Sequence, residues 1–360
     1  MTSSDELHAR VAAFVDGSDD DFDALALAVA AHQAARSPAI ARLYSARGVS
    51  VGALATASQL PAVPTDAFKL ARISTHPPAE DIRIFHTSGT TLGARGEHAF
   101  RRVDTYDHAA LVHGARMLVP DAGAVTLHAA LLMPEHAPDS SLGHMCASFG
   151  RTLATEVEWL LDDRGVSIPG LRAAADRAAS SAASLLVLAT SFALVHLLDA
   201  LEGATLPLPA GSRVMQTGGF KGKSREVDAS ELRAAVSRTF GVDPRAVVSE
   251  YGMTELSSQA WEGSVRAWLG CADGTPMGVL VAPPWMRVVP VDPETLEPVA
   301  RGDRGIARIV DLANVDSSVV VQTHDLVTEV DGGFVLHGRL PDATPRGCSL
   351  AIDELLGGLT

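Results

Sequence analysis

Two stretches of this 360-residue chain and one residue near its end carry side chains suited to chemistry. The first stretch is Phe85-His86-Thr87-Ser88-Gly89-Thr90-Thr91-Leu92-Gly93-Ala94-Arg95-Gly96. Its four hydroxyls and three glycines follow a short apolar run. Glycines let the backbone turn its N–H groups toward one point, and hydroxyls add donors without bulk, so the run suits a nest for phosphate oxygens. It is not a Walker A loop, because no Gly-Lys-Ser/Thr follows. The same composition also suits a solvated turn.

The second stretch, Ser249-Glu250-Tyr251-Gly252-Met253-Thr254-Glu255, follows the β-branched pair Val247-Val248. Tyr251 offers a face to stack on a base, Thr254 a hydroxyl for an α-phosphate, and Glu255 a hard oxygen donor for Mg²⁺. A surface tyrosine followed by helix-capping Thr and Glu is the plain alternative. Cys348 is the third candidate. A thiolate is a good nucleophile whose pKa falls beside cations, and Arg346, Arg339 and His337 are near in sequence. Its alternative is a small buried apolar residue.

The elements that must position these groups form a pattern. Runs at Ile82–Phe85, Val125–Leu132, Leu185–Ala189 and Arg213–Gln216 are expected strands. Helices are expected at Asp104–Val119, Ile168–Ala183, Phe192–Glu202 and Asp228–Phe240, with Asp104 and Ser191 as caps. The first ~50 residues are expected to be helical, one helix being capped by Ser18 and ended by Ser37-Pro38. Alternation of this kind predicts an α/β sheet covered by helices. After Tyr251 the chain turns to short strands, Met286–Val291, Gly305–Leu312, Val319–Thr323, Leu326–Val330 and Phe334–Gly338, which predict a C-terminal antiparallel β subdomain. The expected organisation is a helical segment over 1–60, an α/β core over 61–260 that holds both hydroxyl-bearing motifs, and a β-rich subdomain over 261–360 that ends in the Cys348 segment.

Composition narrows the partners. Lys plus Arg total 29 against 43 acids, a net charge of −14, which repels a nucleic-acid backbone. Cys146, Cys271 and Cys348 form neither a disulfide framework nor a CxxC clamp. The histidines, among them His86, His128, His144 and His324, show no zinc-ligand spacing such as HExxH. The start lacks a secretory signal, and Leu185–Leu198 is too short and too interrupted to span a bilayer. A cytoplasmic enzyme without a membrane span is expected.

Thr87-Ser88-Gly89-Thr90-Thr91 resembles the phosphate motif of the adenylate-forming superfamily, and Tyr251-Gly252-Met253-Thr254-Glu255 resembles its adenine and Mg²⁺ motif. In the family's order, Thr217-Gly218-Gly219 is similar to the glycine pair beside the adenine. Asp325 falls where an Asp binds the ribose hydroxyls and Arg339 where an Arg assists. The superfamily's LuxE-type acyl-protein synthetases are the branch most resembled. Matching segments are Pro64-Thr65-Asp66-Ala67-Phe68-Lys69, Asp139–Leu142, Thr190–Ala193, Thr217–Gly222, Asp311–Asn314 and Gly338-Arg339 with Arg346–Leu350.

The resemblance implies the large-domain fold of adenylate-forming enzymes. It implies ATP and Mg²⁺ as cofactors, and activation of a carboxylic, fatty-type acid as acyl-adenylate. Transfer to Cys348 would follow, for delivery to an acyl reductase partner. A ligase that hands the acyl group to coenzyme A or an acyl carrier protein is a second reading, and a weakly catalytic nucleotide- or acyl-binding subunit a third. The chain has three lysines, Lys69, Lys221 and Lys223. Lys221, beside the nucleotide glycines, is placed to neutralise charge as pyrophosphate leaves, although a solvated turn explains it as well. Two departures stand out: Leu92 occupies the place of a glycine after Thr90-Thr91, and the chain ends at Thr360 without room for the family's C-terminal lid, a truncation the LuxE type shares.

Overall fold

The computed structural model describes residues 2–87, 95–123, 125–218, 228–340 and 346–357. The chain opens with α1 (Ser4–Val15), α2 (Phe22–Arg36) and α3 (Pro38–Ala46). Next come β1 (Val63–Pro64), a 3₁₀ turn at Thr65–Lys69, and the hairpin β2 (Arg83–His86) and β3 (Glu97–Phe100). The central part alternates: α4 (Asp104–Leu118), β4 (Leu127–Leu132), α5 (Ser141–Leu153), β5 (Glu156–Trp159), the small hairpin β6 (Leu161–Asp162) and β7 (Gly165–Val166), α6 (Ile168–Ser180), β8 (Ser184–Thr190), α7 (Ser191–Ala200), β9 (Arg213–Thr217), α8 (Ala229–Phe240) and β10 (Val247–Tyr251). The last part is mostly β: β11 (Ala260–Glu262), α9 (Ser264–Trp268), β12 (Leu280–Val281), β13 (Met286–Val291), β14 (Arg304–Asp311), β15 (Val320–Val330), β16 (Gly333–Arg339), then α10 (Arg346–Leu356).

One twelve-stranded sheet runs through the molecule in the order β13-β14-β15-β16-β12-β11-β10-β9-β8-β4-β5, with β1 added parallel to β15. From β5 to β10 the pairs are parallel; from β10 through β16 to β13 they are antiparallel. The alternating sequence pattern therefore produces the parallel half, and the short strands after Tyr251 continue the same sheet.

Parallel strands are covered on both faces, which is why β4 and β8 are near-continuous apolar runs. Strand periodicity divides β8 between the two faces. Leu185, Val187 and Ala189 pack with Leu171 of α6, Leu194 of α7 and Val236 of α8. Leu186 and Leu188 pack with Tyr106 and Met117 of α4 and Phe149 of α5. A third core joins the chain's ends: Leu7, Val29 and Leu43 of α1–α3 pack with Phe68, Val320 and, on α10, Ala351 and Leu355.

Several boundaries differ from expectation by a few residues. Ser18 does not cap α2; Asp21 does, accepting a 2.8 Å hydrogen bond from the Ala24 amide. Thr190 rather than Ser191 caps α7, because its hydroxyl reaches the Ala193 amide at 3.1 Å. Asp104 is the first residue of α4, with Val103 at the cap and no capping side chain. The runs Val319–Thr323 and Leu326–Val330 are one strand, β15, carrying a bulge near Asp325. Strand β2 pairs only with β3, outside the main sheet.

Candidate active site

The carboxyl ends of parallel strands are where α/β sheets bind ligands. Here β9 and β10 end side by side, with Thr217 in register with Glu250. The Thr217 hydroxyl donates to the Glu250 carboxylate. Burial pushes the Glu250 carboxyl up to about 7, against the Thr217 hydrogen bond, which works to lower it. Gly252 is required by the same contact. A Cβ there would come within 2.4 Å of Glu250 Oε1 and 3.1 Å of Gln259 Cγ.

Tyr251, the last residue of β10, turns its hydroxyl to Asp325, donating to Oδ2 at 2.9 Å, and packs edge-on against Phe334 at 5.7 Å. Burial first, and then the Asp325 charge, raise its phenol well above the ordinary value. Asp325 also faces Arg339, its partner in the β15–β16 register, whose Nε lies 3.5 Å away. Gly218, just past β9, has φ +79° and open space where a side chain would stand.

Thr254 joins this group to the root of the hydroxyl-rich loop. Its hydroxyl donates to the His86 carbonyl at 3.4 Å, and its own carbonyl accepts from His98 Nδ1 at 2.7 Å. Burial drives the His98 imidazole down to about 4, so its ring is neutral with the proton on Nδ1. The neck of the loop is closed by Thr87 and Gly96. Their backbones bond at 2.9 Å, and the Gly96 amide donates to the Thr87 hydroxyl at 2.9 Å. Glu255, the residue after Thr254, is buried, its carbonyl accepting from Asn314 Nδ2 at 2.9 Å. A buried carboxylate one residue from Thr254, whose hydroxyl reaches the root of the loop, is a donor that fits Mg²⁺, which takes one or two carboxylates and fills its other positions with phosphate oxygens and water. Ser88, Gly89, Thr90, Thr91, Gly219 and Lys221 lie outside the described residues.

Thr87, Thr254, Glu255, Tyr251, Asp325 and Arg339 thus share one end of the sheet. Cys348, on the first turn of α10, is fully buried among Val291, Ile306, Leu326 and Leu340. Its thiol was expected to be activated by nearby cations. Instead burial, followed by the charge of Asp66, pushes it up to about 12. The side chain of Arg346 is not among those described.

The turn Thr65–Lys69 is a part of this neighbourhood that motif reading did not single out for chemistry. Lys69 Nζ donates to Asp66 Oδ1 at 2.6 Å, and Asp66 Oδ2 lies 3.9 Å from His324 Nε2. The only sequence signal was the segment's likeness to the LuxE type.

No family model matches the chain. The long-chain-fatty-acid–luciferin-component ligase of Aliivibrio fischeri is 22% identical over 322 residues, covering 84% of this chain and 80% of the relative. The 2-hydroxyisobutyryl-CoA ligase solved with 2-HIB-AMP in its postadenylation state superposes with TM-score 0.62 at 15% identity, over 89% of this chain and 68% of that one. This is the adenylate-forming fold. The open form of that ligase, solved with 2-HIB-AMP and CoA, superposes with TM-score 0.61 at 15% identity over 90% of this chain and 76% of that one. ATP-bound MatB from Rhodopseudomonas palustris matches with TM-score 0.49 at 19% identity over 74% of this chain, which spans about half (49%) of MatB. The two 2-hydroxyisobutyryl-CoA ligase structures bear out the expected fold class, and the Aliivibrio fischeri relative bears out the resemblance to the LuxE branch. Among the described residues, no helix is long and apolar enough to cross a membrane.

Proposed function

We propose that this chain is an ATP-dependent acid ligase. It activates a carboxylic acid, of fatty type by analogy with its curated relative, as an acyl-adenylate and transfers the acyl group to Cys348. In the first step a carboxylate oxygen bonds to the α-phosphorus, and the bond from that phosphorus to the pyrophosphate oxygen breaks. In the second the Cys348 sulfur bonds to the acyl carbon, the bond between that carbon and the phosphate oxygen breaks, and AMP leaves. The thiol proton passes to solvent or a neighbouring base. An acyl reductase would then take the thioester.

The observation that carries the reading is the Tyr251–Asp325 hydrogen bond beside a Thr254 that touches the neck of the Thr/Ser/Gly loop. It supports a single nucleotide site with a base-and-ribose side and a phosphate side. Asp325 and Arg339 would hold the ribose, Gly218, Gly219 and Tyr251 the adenine, and 87–91 the phosphates. Mg²⁺ held at Glu255 would neutralise phosphate oxygens. Lys221 belongs to the same proposal, as a cation near the leaving pyrophosphate.

The burial of Cys348 and its raised pKa favour a second acceptor: an external thiol, of coenzyme A or a carrier protein, takes the acyl group while Cys348 stays packed. Labelled acid and ATP distinguish the two. The first reading predicts a hydroxylamine-labile label on the protein that Cys348→Ser abolishes. Label appearing only on added coenzyme A or carrier, with Cys348→Ser unaffected, would establish the second.

A further inference from the structure

Twenty-six of the chain's 29 basic residues are arginines, so a lysine inside the site is uncommon here. Lys69 stands at its edge, its side chain 16% exposed and close enough for its charge to act on His324, the neighbour of Asp325. The fold brings it there indirectly. Val63 and Pro64 pair in parallel with Val321 and Gln322, so the turn that follows lies alongside Thr323–Asp325. Asp66 reaches His324 on that side. On the other side Phe68 packs edge-on against His98 at 5.9 Å, the same ring that donates to the Thr254 carbonyl. A Cβ on Gly96, at the neck of the phosphate-type loop, would stand 3.4 Å from Phe68 Cβ. The turn therefore bridges the Asp325 side of the site and its loop side. In a nucleoside triphosphate lying between them, the group in the middle is the α-phosphate.

Two orphaned polar atoms mark the same place. Thr65 Oγ1 and His324 Nε2 are buried, and neither has a hydrogen-bond partner among the described residues. Buried polar atoms are nearly always paired, so both atoms are open to a hydrogen bond from water or from a bound group. Lys69 is near enough for its charge to act on His324, whose imidazole is held down chiefly by burial.

Resting on the adenylation reading, the geometry points to Lys69 as a catalytic cation, held by Asp66 in the free enzyme and donating to the α-phosphate oxygens while the acid attacks. Lys69 keeps its protons throughout. It stabilises the charge on the oxygens around phosphorus as the bond to the acid forms and the bond to pyrophosphate breaks. Asp66 and His324 are positioning residues.

The rival role for Lys69 is plain neutralisation of Asp66, and a double variant separates the two. Acid-dependent ATP–pyrophosphate exchange is measured for wild type, Lys69→Met, and Lys69→Met with Asp66→Asn. Thermal melting and binding of a non-cleavable ATP analogue are followed alongside. A catalytic Lys69 predicts kcat down about a hundredfold in both variants, with analogue binding within about threefold of wild type. Recovery of kcat to near wild type in the double variant, or a normal kcat in Lys69→Met alone, overturns the proposal and leaves the adenylation reading intact. A wild type with no exchange on any acid overturns both. If Lys69→Met does not fold, the double variant, which leaves no unpaired carboxylate, carries the measurement.

Discussion

The Tyr251 hydroxyl donates a 2.9 Å hydrogen bond to Asp325, 74 residues further along the chain. That bond ties the last residue of the parallel half of the sheet to the bulge in β15, where the antiparallel half begins to serve the site. The same Asp325 is the residue proposed to receive the ribose hydroxyls, so the contact that joins the two halves also orients a binding carboxylate.

Replacing Asp325 with Ala should therefore weaken nucleotide binding more than turnover. Hydrogen bonds to a charged group contribute about 1.5–3 kcal/mol, so the ATP KM should rise about tenfold to a hundredfold. Steady-state exchange kinetics over a range of ATP concentrations measure this. Tyr251→Phe, which removes one donor to that carboxylate, should give a smaller shift in the same direction.

Gly252→Ala should destabilise the fold, since the new methyl meets Glu250 Oε1 at 2.4 Å and Glu250 is packed in place by Thr217. Overpacking of this kind costs about 1–3 kcal/mol. Urea unfolding gives the number, and a midpoint equal to wild type would show that the Glu250 side chain moves aside freely.

Asp316 supplies a pH dependence. Burial would raise its carboxyl, but hydrogen bonds from His8, Ser4 and Thr75 hold it well below the usual carboxylate range. A carboxyl depressed in the folded state stabilises fully above its unfolded value, and that stability is lost as pH falls through the folded one. Asp316→Ala should cost about 3–5 kcal/mol near neutral pH. The difference from wild type should shrink in acid. A gap that stays constant with pH would show that the carboxylate's charge is not involved.

Cys348 should resist alkylation in the resting protein. With its thiol pushed up to about 12, the thiolate fraction at neutral pH is very small. Iodoacetamide should label the partly exposed Cys271 first. Below its pKa the thiolate fraction grows tenfold per pH unit, so labelling of Cys348 should rise about a hundredfold from pH 7 to 9. Peptide mapping by mass spectrometry reads both sites, and rapid labelling of Cys348 at pH 7 would contradict the burial described here.

Much of the fold was legible because buried parallel strands announce themselves. Leu185–Ala189 is a continuous apolar run, and Arg213–Gln216, with Arg and Gln at its ends, is bounded by the turn residues Gly211-Ser212 and Gly218. Caps were less legible, since Asp21 and Ser18, or Thr190 and Ser191, offer the same chemistry one or a few residues apart, and geometry alone selects between them. Of the site, the loop and the Tyr251–Glu255 segment were visible as local motifs. Two features were not. Glu250 reads as an ordinary acid until burial at the end of β10, beside Thr217 of β9, shifts it. The Asp66–Lys69–His324 group exists only because β1, two residues long, pairs with a strand from the far end of the chain. Cys348 shows the opposite failure. Sequence neighbours suggested a cationic setting, whereas α10 turns the side chain into an apolar pocket.

The most direct measurement is acid-dependent exchange of labelled pyrophosphate into ATP, screened over carboxylic acids of increasing chain length and aromaticity. An adenylate-forming site predicts exchange that requires the acid, stops when Mg²⁺ is chelated, and falls steeply in Glu255→Ala. Exchange absent with every acid from protein that binds ATP, or undiminished in Glu255→Ala, would contradict it.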